Sequence, residues 1–405
     1  MPEAAVAALV LLLCFACNML GRGTGDTFIV FLLPLSSDFG WSRAQVSSVY
    51  SIYLVLTGLV SPLTGMLLDR YGPRFLYPAG MLLLGAGCLT AGHLSHLWQF
   101  QACIGILNGM GVSMLGMVPA SMLISRWFRS RISTAMGIAY AGFGTGTLLI
   151  VPLAQHLIDA HGWRDTYRLM GTALLALVPV LLLLPWRRIA GELPGARRGA
   201  AHEEDPPAWR VGAAMRTRAY WQLVQVFSFT AIAMYAMLAQ IVAYLVQVGL
   251  RPIEAATAFG AAGLLSVLGM TASGWSSDRV GFRATATASF VSTALGIGFL
   301  VLLSYHPARW LVVPFVLLFG ISQGARGPIV ASLTARIFRG PGFATVYGTI
   351  YAGMSVGAAL GSWTSGVLYD LTGGYRASFV FSLACVAVAV APFWTRHPIG
   401  RAAPA

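Results

Sequence analysis

The fold class this sequence predicts is all-α and integral to the membrane, with twelve transmembrane helices arranged as two six-helix repeats. Three observations predict it. The 405 residues are 57% hydrophobic and only 10% charged, with a mean hydropathy of +0.74, which does not describe a chain that folds in water. Apolar stretches of the ~20 residues that a bilayer crossing needs follow one another along the sequence. The two halves of the chain also repeat each other at a near-constant offset.

The apolar stretches run approximately over 7–34, 43–67, 75–95, 97–124, 132–157, 165–186, 219–247, 253–275, 284–305, 309–335, 343–369 and 376–395. Twelve buried helices of a soluble protein would each need a polar face at helical spacing, and "LLALVPVLLLLPW" (174–186) has none. The first stretch is expected to be a retained helix, because "MPEAAV" lacks the basic start of a signal peptide and the apolar run is too long for one. All 26 basic residues are arginine, and 18 of them fall at the junctions after helices 2, 4, 6, 8 and 10 or in the C-terminal tail. The opposite junctions hold six, Arg43, Arg164, Arg168, Arg251, Arg309 and Arg376, and Arg22 and Arg326 lie inside helices. By the positive-inside rule both termini are expected in the cytoplasm, with the protein in the inner membrane of the cell. The net charge of +13 is then a topology signal, which argues against a nucleic-acid partner.

The polar stretch "RRIAGELPGARRGAAHEEDPPAWRVGAAMRTR" (187–218) has Pro, Gly and mixed charge without an apolar period, and reads as a flexible cytoplasmic linker. It divides the chain into an N-terminal six-helix half, 1–186, and a C-terminal one, 219–405. "GMLLDRYGPR" (65–74) returns as "GWSSDRVGFR" (274–283), an offset of 209. "RWFRS" (126–130) returns as "RIFRG" (336–340), "AYAG" (139–142) as "IYAG" (350–353), and "GWRDTY" (162–167) as "GGYRASF" (373–379). So steady a shift marks a duplicated unit. Parallel repeats of this sort typically build secondary transporters with a site between the halves, near the membrane midplane.

These residues resemble those of a known family. Gly-x-x-x-Asp-Arg-x-Gly-x-Arg after helix 2, repeated after helix 8, is the signature of the major facilitator superfamily. Here it is Gly65, Asp69, Arg70, Gly72 and Arg74, then Gly274, Asp278, Arg279, Gly281 and Arg283. "FLLPLSSDFGWSRAQVS" (31–47), "SRWFRSR" (125–131), "GWRDTY" and "LYDLTGGY" (368–375) resemble the bacterial members of the monocarboxylate and oxalate/formate transporter group. The resemblance covers nearly the whole chain. It implies the major facilitator fold, transport without enzymatic activity, and a gating role for the loop motif in holding the cytoplasmic side closed. In physical terms, Asp69 and Asp278 can accept hydrogen bonds from helix N-termini while the arginines tie loops to helix C-termini.

The first apolar stretch keeps two charges, Arg22 and Asp26. A charge at the centre of a lone helix costs about 2.5–3.5 kcal/mol on insertion scales, so it is normally kept inside the bundle. Four residues apart, the two share a helix face and can pair, with Asn18 one turn away on the same stripe. They read either as a self-neutralising structural pair or as part of a binding site. Arg326, in "GISQGARGPIV" (320–330), precedes Arg336 by ten residues and so lies roughly 15 Å deep. Asp26 is the one acidic residue of thirteen expected in a helix core, which leaves that core a net charge of plus one. An unmatched cation at mid-depth favours an anionic guest, and the guanidinium fork suits a carboxylate. Tyr140 and Tyr351, repeat mates on helices 5 and 11, read as phenol donors to it or as packing. Tyr235 and Gln240 on helix 7 are further substrate-binding candidates, with Asn108 and Gln323 behind them. Asp26 is the proton-coupling candidate.

The expected activity is therefore alternating-access transport of a small organic anion, a monocarboxylate first, by symport with protons. Carriers of the resembling group often have an arginine on helix 8 four residues before the loop glycine; that position here is Met270, so Arg326 with Arg22 would replace it and a bulkier acid would fit. Two alternatives stay open. Efflux of amphipathic compounds by proton antiport would favour cations, but helix 5, "GIAYAGFGTGTLLIVPL" (137–153), lacks the Gly-Pro step common in such carriers. A transport-like membrane sensor without turnover would need a signalling domain, and the sequence offers no such segment. No cofactor, metal site or catalytic constellation is expected, since the histidines fall in loops or at helix ends and the five cysteines in apolar helices. The expected partners are the anion, protons and the lipid bilayer, with no nucleic acid, and the chain is expected to act as a monomer.

Overall fold

The computed structural model describes residues 3–41, 43–128, 131–190, 209–238, 240–306, 308–395 and 399, and every regular element among them is a helix. Ten helices are long and apolar enough to cross a membrane, and an eleventh crossing comes from a pair bent by 46°, Ser48–Leu59 with Ser61–Tyr71. The longest helix, Ile132–Leu183, is interrupted at Gly162, whose φ of 80° is the left-handed conformation that glycine adopts without penalty. It thus supplies two crossings, and the expected twelve-crossing architecture is present.

In chain order the first crossing is α1 (Glu3–Asp26) with α2 (Phe28–Phe39), the second α3 (Arg43–Leu59) with α4 (Ser61–Tyr71), and the third α5 (Pro73–Ala91). The fourth is built from α6 (Leu97–Phe100), a π-helical stretch over Gln101–Leu107, α7 (Asn108–Leu115) and α8 (Met117–Trp127). Then α9 (Ile132–Leu183) supplies two crossings, and the short α10 (Trp186–Ile189) and α11 (Val211–Met215) precede α12 (Arg218–Leu238) and α13 (Ile241–Gln247). The last crossings are α14 (Pro252–Arg279), α15 (Phe282–Tyr305), α16 (Val312–Gly324) with α17 (Arg326–Ile337), α18 (Phe343–Thr372) and α19 (Arg376–Val390). The helices gather into two compact units. One holds Met1–Arg129, Gly142–Val211 and Arg339–Ala352; the other holds Ser130–Ala141, Gly212–Phe338 and Gly353–Ala405.

Crossings one, two, four, seven and ten are each broken, at Thr27, Val60, Gly116, Gln240 and Ala325. Hydropathy draws each of them as one uninterrupted span. The physical cause is local in two cases: Pro119 and Pro328 are each the third residue of the helix after the break, where a missing backbone N–H is tolerated. In the first unit α9 lies on α1 at backbone contact, because a Cβ added to Gly142 or Gly146 would come within 2.4 or 2.2 Å of the Phe15 or Met19 carbonyl oxygen.

At the start of the expected linker, 187–218, the chain is still helical, over Trp186–Ile189. Trp186 and Ile189 are buried, the Trp186 indole donates to the Leu181 carbonyl at 2.6 Å, and the Trp127 indole donates to the Ile189 carbonyl at 2.7 Å. Its last part is the helix α11, with Ala214 buried, and residues 191–208 lie outside the described residues.

Past the apolar span Ala4–Leu32, near the end of α2, Asp38 accepts from Arg164 Nη1 at 2.7 Å and from the Trp163 indole at 3.1 Å. These bonds, Arg164 first, hold its carboxyl below the ordinary value of 3.8. A carboxyl lowered in the folded state adds stability above its unfolded value and loses it as pH falls through the lowered one. Acidification below about pH 4 should therefore release this junction reversibly, read from the Trp163 indole resonance, and Asp38→Asn should abolish the response.

Candidate functional site

The charged centre of the first crossing is assembled from three helices of one unit. On α1, Arg22 Nε donates to Asp26 Oδ2 at 3.0 Å across one helical turn. From α3 the Tyr50 hydroxyl donates to Oδ1 at 3.1 Å, and from α9 the Thr147 hydroxyl donates to Oδ2 at 2.7 Å. Both oxygens of a carboxylate at the helix break are therefore engaged. The pair is asymmetric: the Asp26 side chain is 8% exposed and that of Arg22 28%, so the acid is enclosed and the guanidinium reaches a more open side. Tyr50 is held in place by stacking against Phe28 at 6.0 Å and Tyr53 at 5.4 Å. Asn18, one turn before Arg22, is fully buried against the Gly142 face of α9. Sequence reasoning selected Arg22, Asp26 and Asn18 and missed Tyr50 and Thr147.

In the other unit Arg326 opens α17 and is 2% exposed. Its Nη2 donates to the Ser289 carbonyl at 3.0 Å and to the Thr293 hydroxyl, its Nη1 contacts Met234 Sδ at 3.5 Å, and the guanidinium lies 4.5 Å over the Phe290 ring. Among the described residues Nε has no partner, and no carboxylate pairs with the group. This is a buried cation solvated by a carbonyl, a hydroxyl, a thioether and a ring, none of which sequence reasoning selected.

Tyr140 is fully buried on α9, while Tyr351 on α18 and Tyr235 on α12 are half-buried. Gln240 stands at the seventh crossing's break, where its N–H donates to the Met237 carbonyl at 3.1 Å and its carbonyl accepts from Tyr244 N at 2.9 Å. Asn108 donates to Cys88 Sγ at 3.5 Å.

The two copies of the loop motif build the same joint. A Cβ on Gly65 would lie 2.3 Å from the Ala344 carbonyl oxygen, and Asp69 accepts from Thr345 N at 3.0 Å and its hydroxyl at 2.6 Å. A Cβ on Gly274 would lie 2.2 Å from the Ser133 carbonyl oxygen, and Asp278 accepts from Thr134 N and its hydroxyl, both at 2.8 Å, and from Ser133 N at 3.3 Å. Each aspartate thus caps the first turn of a helix, α18 or α9. Arg70 and Arg279 stand in the last turns of α4 and α14, and three of the motif arginines lie against aromatic rings. Arg279 lies 4.5 Å over Trp275, Arg283 lies 3.8 Å over Trp394, and Arg70 lies 5.3 Å from the centre of Tyr71. A neighbouring aromatic face at the membrane boundary competes well for a weakly hydrated guanidinium.

Because the motif glycines touch backbone, Gly65→Ala and Gly274→Ala should each lower the melting temperature in detergent, by an overpacking cost of about 1–3 kcal/mol. Gly298→Ala, where an added Cβ meets nothing within 4 Å, should change it little.

The sequence pattern of the Major Facilitator Superfamily matches residues 11–336 and 268–404. The chain is 28% identical over 390 residues to "Monocarboxylate transporter 13" of Bos taurus, covering 94% of this chain and 86% of that one. It is 25% identical over 362 residues to the "Uncharacterized MFS-type transporter YcxA" of Bacillus subtilis (strain 168), covering 86% and 85%. Among solved structures, the proton:xylose symporter XylE matches with a TM-score of 0.77 at 14% identity, over 98% of this chain and 97% of that one. At such identity the structural likeness speaks for the fold alone.

Proposed function

The chain belongs to the Major Facilitator Superfamily, whose members are membrane transporters and not enzymes, and from that premise we propose that it carries a small organic anion, a monocarboxylate first. In this reading two halves, 1–186 and 219–405, joined by the linker, alternate access to a central site in the inner membrane, with both termini cytoplasmic and the chain acting as a monomer. The observation that carries it is the charge inventory: away from the ends of the crossings the sequence puts two arginines, Arg22 and Arg326, and one carboxylate, Asp26.

Arg22 is bonded to Asp26 through Nε, so its Nη1/Nη2 fork is placed to exchange what it holds for a substrate carboxylate. A proton taken up at Asp26 removes the counter-charge of Arg22 and favours the anion, so proton and substrate bind together, which is symport. Arg326 adds a fixed positive potential. Asn18, Tyr140, Tyr351, Tyr235 and Gln240 are assigned as neutral donors around the anion. Met270, against which Gly324 packs closely, gives an apolar wall suited to the body of an organic acid. The Asp69 and Asp278 caps, with Arg70, Arg74, Arg279 and Arg283, are assigned to gating. The names of the curated relatives support the substrate class.

The test is thermal stabilisation of the purified chain by mono- and dicarboxylates, their amides and lipophilic cations, at about pH 5.5 and about pH 7.5. A ligand at 100 times its Kd stabilises by about 2.7 kcal/mol. Carboxylates should respond, more strongly at the lower pH, and amides should not; a response to cations alone would favour efflux. Arg326→Met, which replaces a buried cation lacking a carboxylate partner by an apolar group, should hold or raise the unliganded melt, by up to about 1–4 kcal/mol, while weakening the carboxylate response. An undiminished response would remove Arg326 from the site.

A further inference from the structure

One cavity of the first unit, of about 280 Å³, is lined by Arg74, Arg187 and Arg188 together with Leu182, Leu184, Pro185 and Trp186. Its height in the membrane follows from the helices that build it. The crossing-length helix Pro73–Ala91 begins beside Arg74, and the crossing-length helix Ile132–Leu183 ends just before Pro185, so the cavity sits where two crossings leave the bilayer. Exposed apolar side chains continue from it, Leu182 at 54%, Leu183 at 85% and Phe75 at 59%. The three arginines are exposed, and among the described residues none of them pairs with a carboxylate.

The arginines are also presented by a fixed support. Arg187 and Arg188 lie between two anchors, Trp186 and Ile189, both buried. Trp186 stacks on Tyr77 at 5.8 Å and donates to Leu181 O, while the Ile189 and Ala190 carbonyls accept from Trp127 Nε1 at 2.7 Å and Arg126 Nη1 at 3.0 Å. Three arginines and an apolar wall sharing one cavity, where two crossings end, complement one ligand chemistry: a phosphate diester carrying hydrocarbon. We propose that this cavity binds the headgroup phosphate of an anionic phospholipid in the adjoining leaflet. A free phosphate would satisfy the arginines and leave the exposed Leu182, Leu183 and Phe75 uncovered. The site does not depend on which substrate is carried.

The experiment is native mass spectrometry of the full chain in detergent, titrated with phosphatidylglycerol and with phosphatidylcholine of the same acyl chains. Phosphatidylglycerol should bind the wild-type chain more tightly than phosphatidylcholine, and Arg187→Gln/Arg188→Gln should weaken it about 20-fold. Arg187→Lys/Arg188→Lys, which keeps the charge, should retain most of the affinity. Both variants should melt like wild type without lipid, and the wild-type preference between the two lipids is read on the unaltered chain whatever the variants do. Equal binding of the two lipids, or an unaltered phosphatidylglycerol affinity in the glutamine variant, overturns the proposal. Displacement of the lipid by inorganic phosphate at about 10 mM, with the same stabilisation from phosphate alone, would reassign the cavity to a soluble anion and overturn the lipid assignment.

Discussion

Arg22→Gln should weaken carboxylate binding at least about 100-fold, because hydrogen bonds to a charged group contribute about 1.5–3 kcal/mol each and a fork supplies two. The same substitution strands Asp26, which would keep the Tyr50 and Thr147 hydroxyls and lose its cation. Breaking an enclosed ion pair by removing one member costs about 3–5 kcal/mol, so the single variant should also melt early. Adding Asp26→Asn removes the orphaned charge and should restore the melt without restoring the binding. That double variant separates the two effects. If it binds carboxylates as tightly as the wild-type chain, Arg22 is a structural partner of Asp26 and the anion is held elsewhere.

Asp26→Asn alone should leave substrate exchange running and abolish accumulation driven by a proton gradient. The amide oxygen at the Oδ2 place can still accept from Thr147 while its NH2 at the Oδ1 place donates to the Tyr50 hydroxyl oxygen, so the contacts between α1, α3 and α9 persist, but the position can no longer gain or lose a proton. Proteoliposomes loaded with unlabelled substrate would report exchange, and the same vesicles under an imposed pH gradient would report accumulation. Loss of the second with survival of the first is the expected result. Equal loss of both would mark Arg22 and Asp26 as a structural lock, and persistence of both would move proton coupling to another group.

The crossings were legible because hydropathy sums over twenty residues, and errors at single positions cancel. The breaks were not, since a broken helix has the same composition as a whole one. Their trace in the sequence is positional: Pro119 and Pro328 stand 209 residues apart, the same offset as the loop glycines, and each follows its break by the same step. The Arg22–Asp26 pair was legible because an i,i+4 relation is internal to one helix. Tyr50 and Thr147 reach Asp26 only through the way α3 and α9 face α1, and the clue to half of that was the Gly142 and Gly146 pair, whose small size brings α9 to backbone contact. The burial of Arg326 followed from its place in an apolar stretch, but its partners could not be read, because a backbone carbonyl such as that of Ser289 has no signature in a sequence.

Those two prolines also fix something that packing alone would leave adjustable. A proline cannot donate to the carbonyl four residues earlier, so Leu115 and Gly324 each lose the acceptor's usual partner within the helix, at a depth where hydrocarbon offers no substitute. Each of these crossings therefore carries a carbonyl dipole that no straightening of the helix can extinguish. Lipid is barred from whatever side that oxygen faces, and water or a donor from the protein or its cargo must meet it instead.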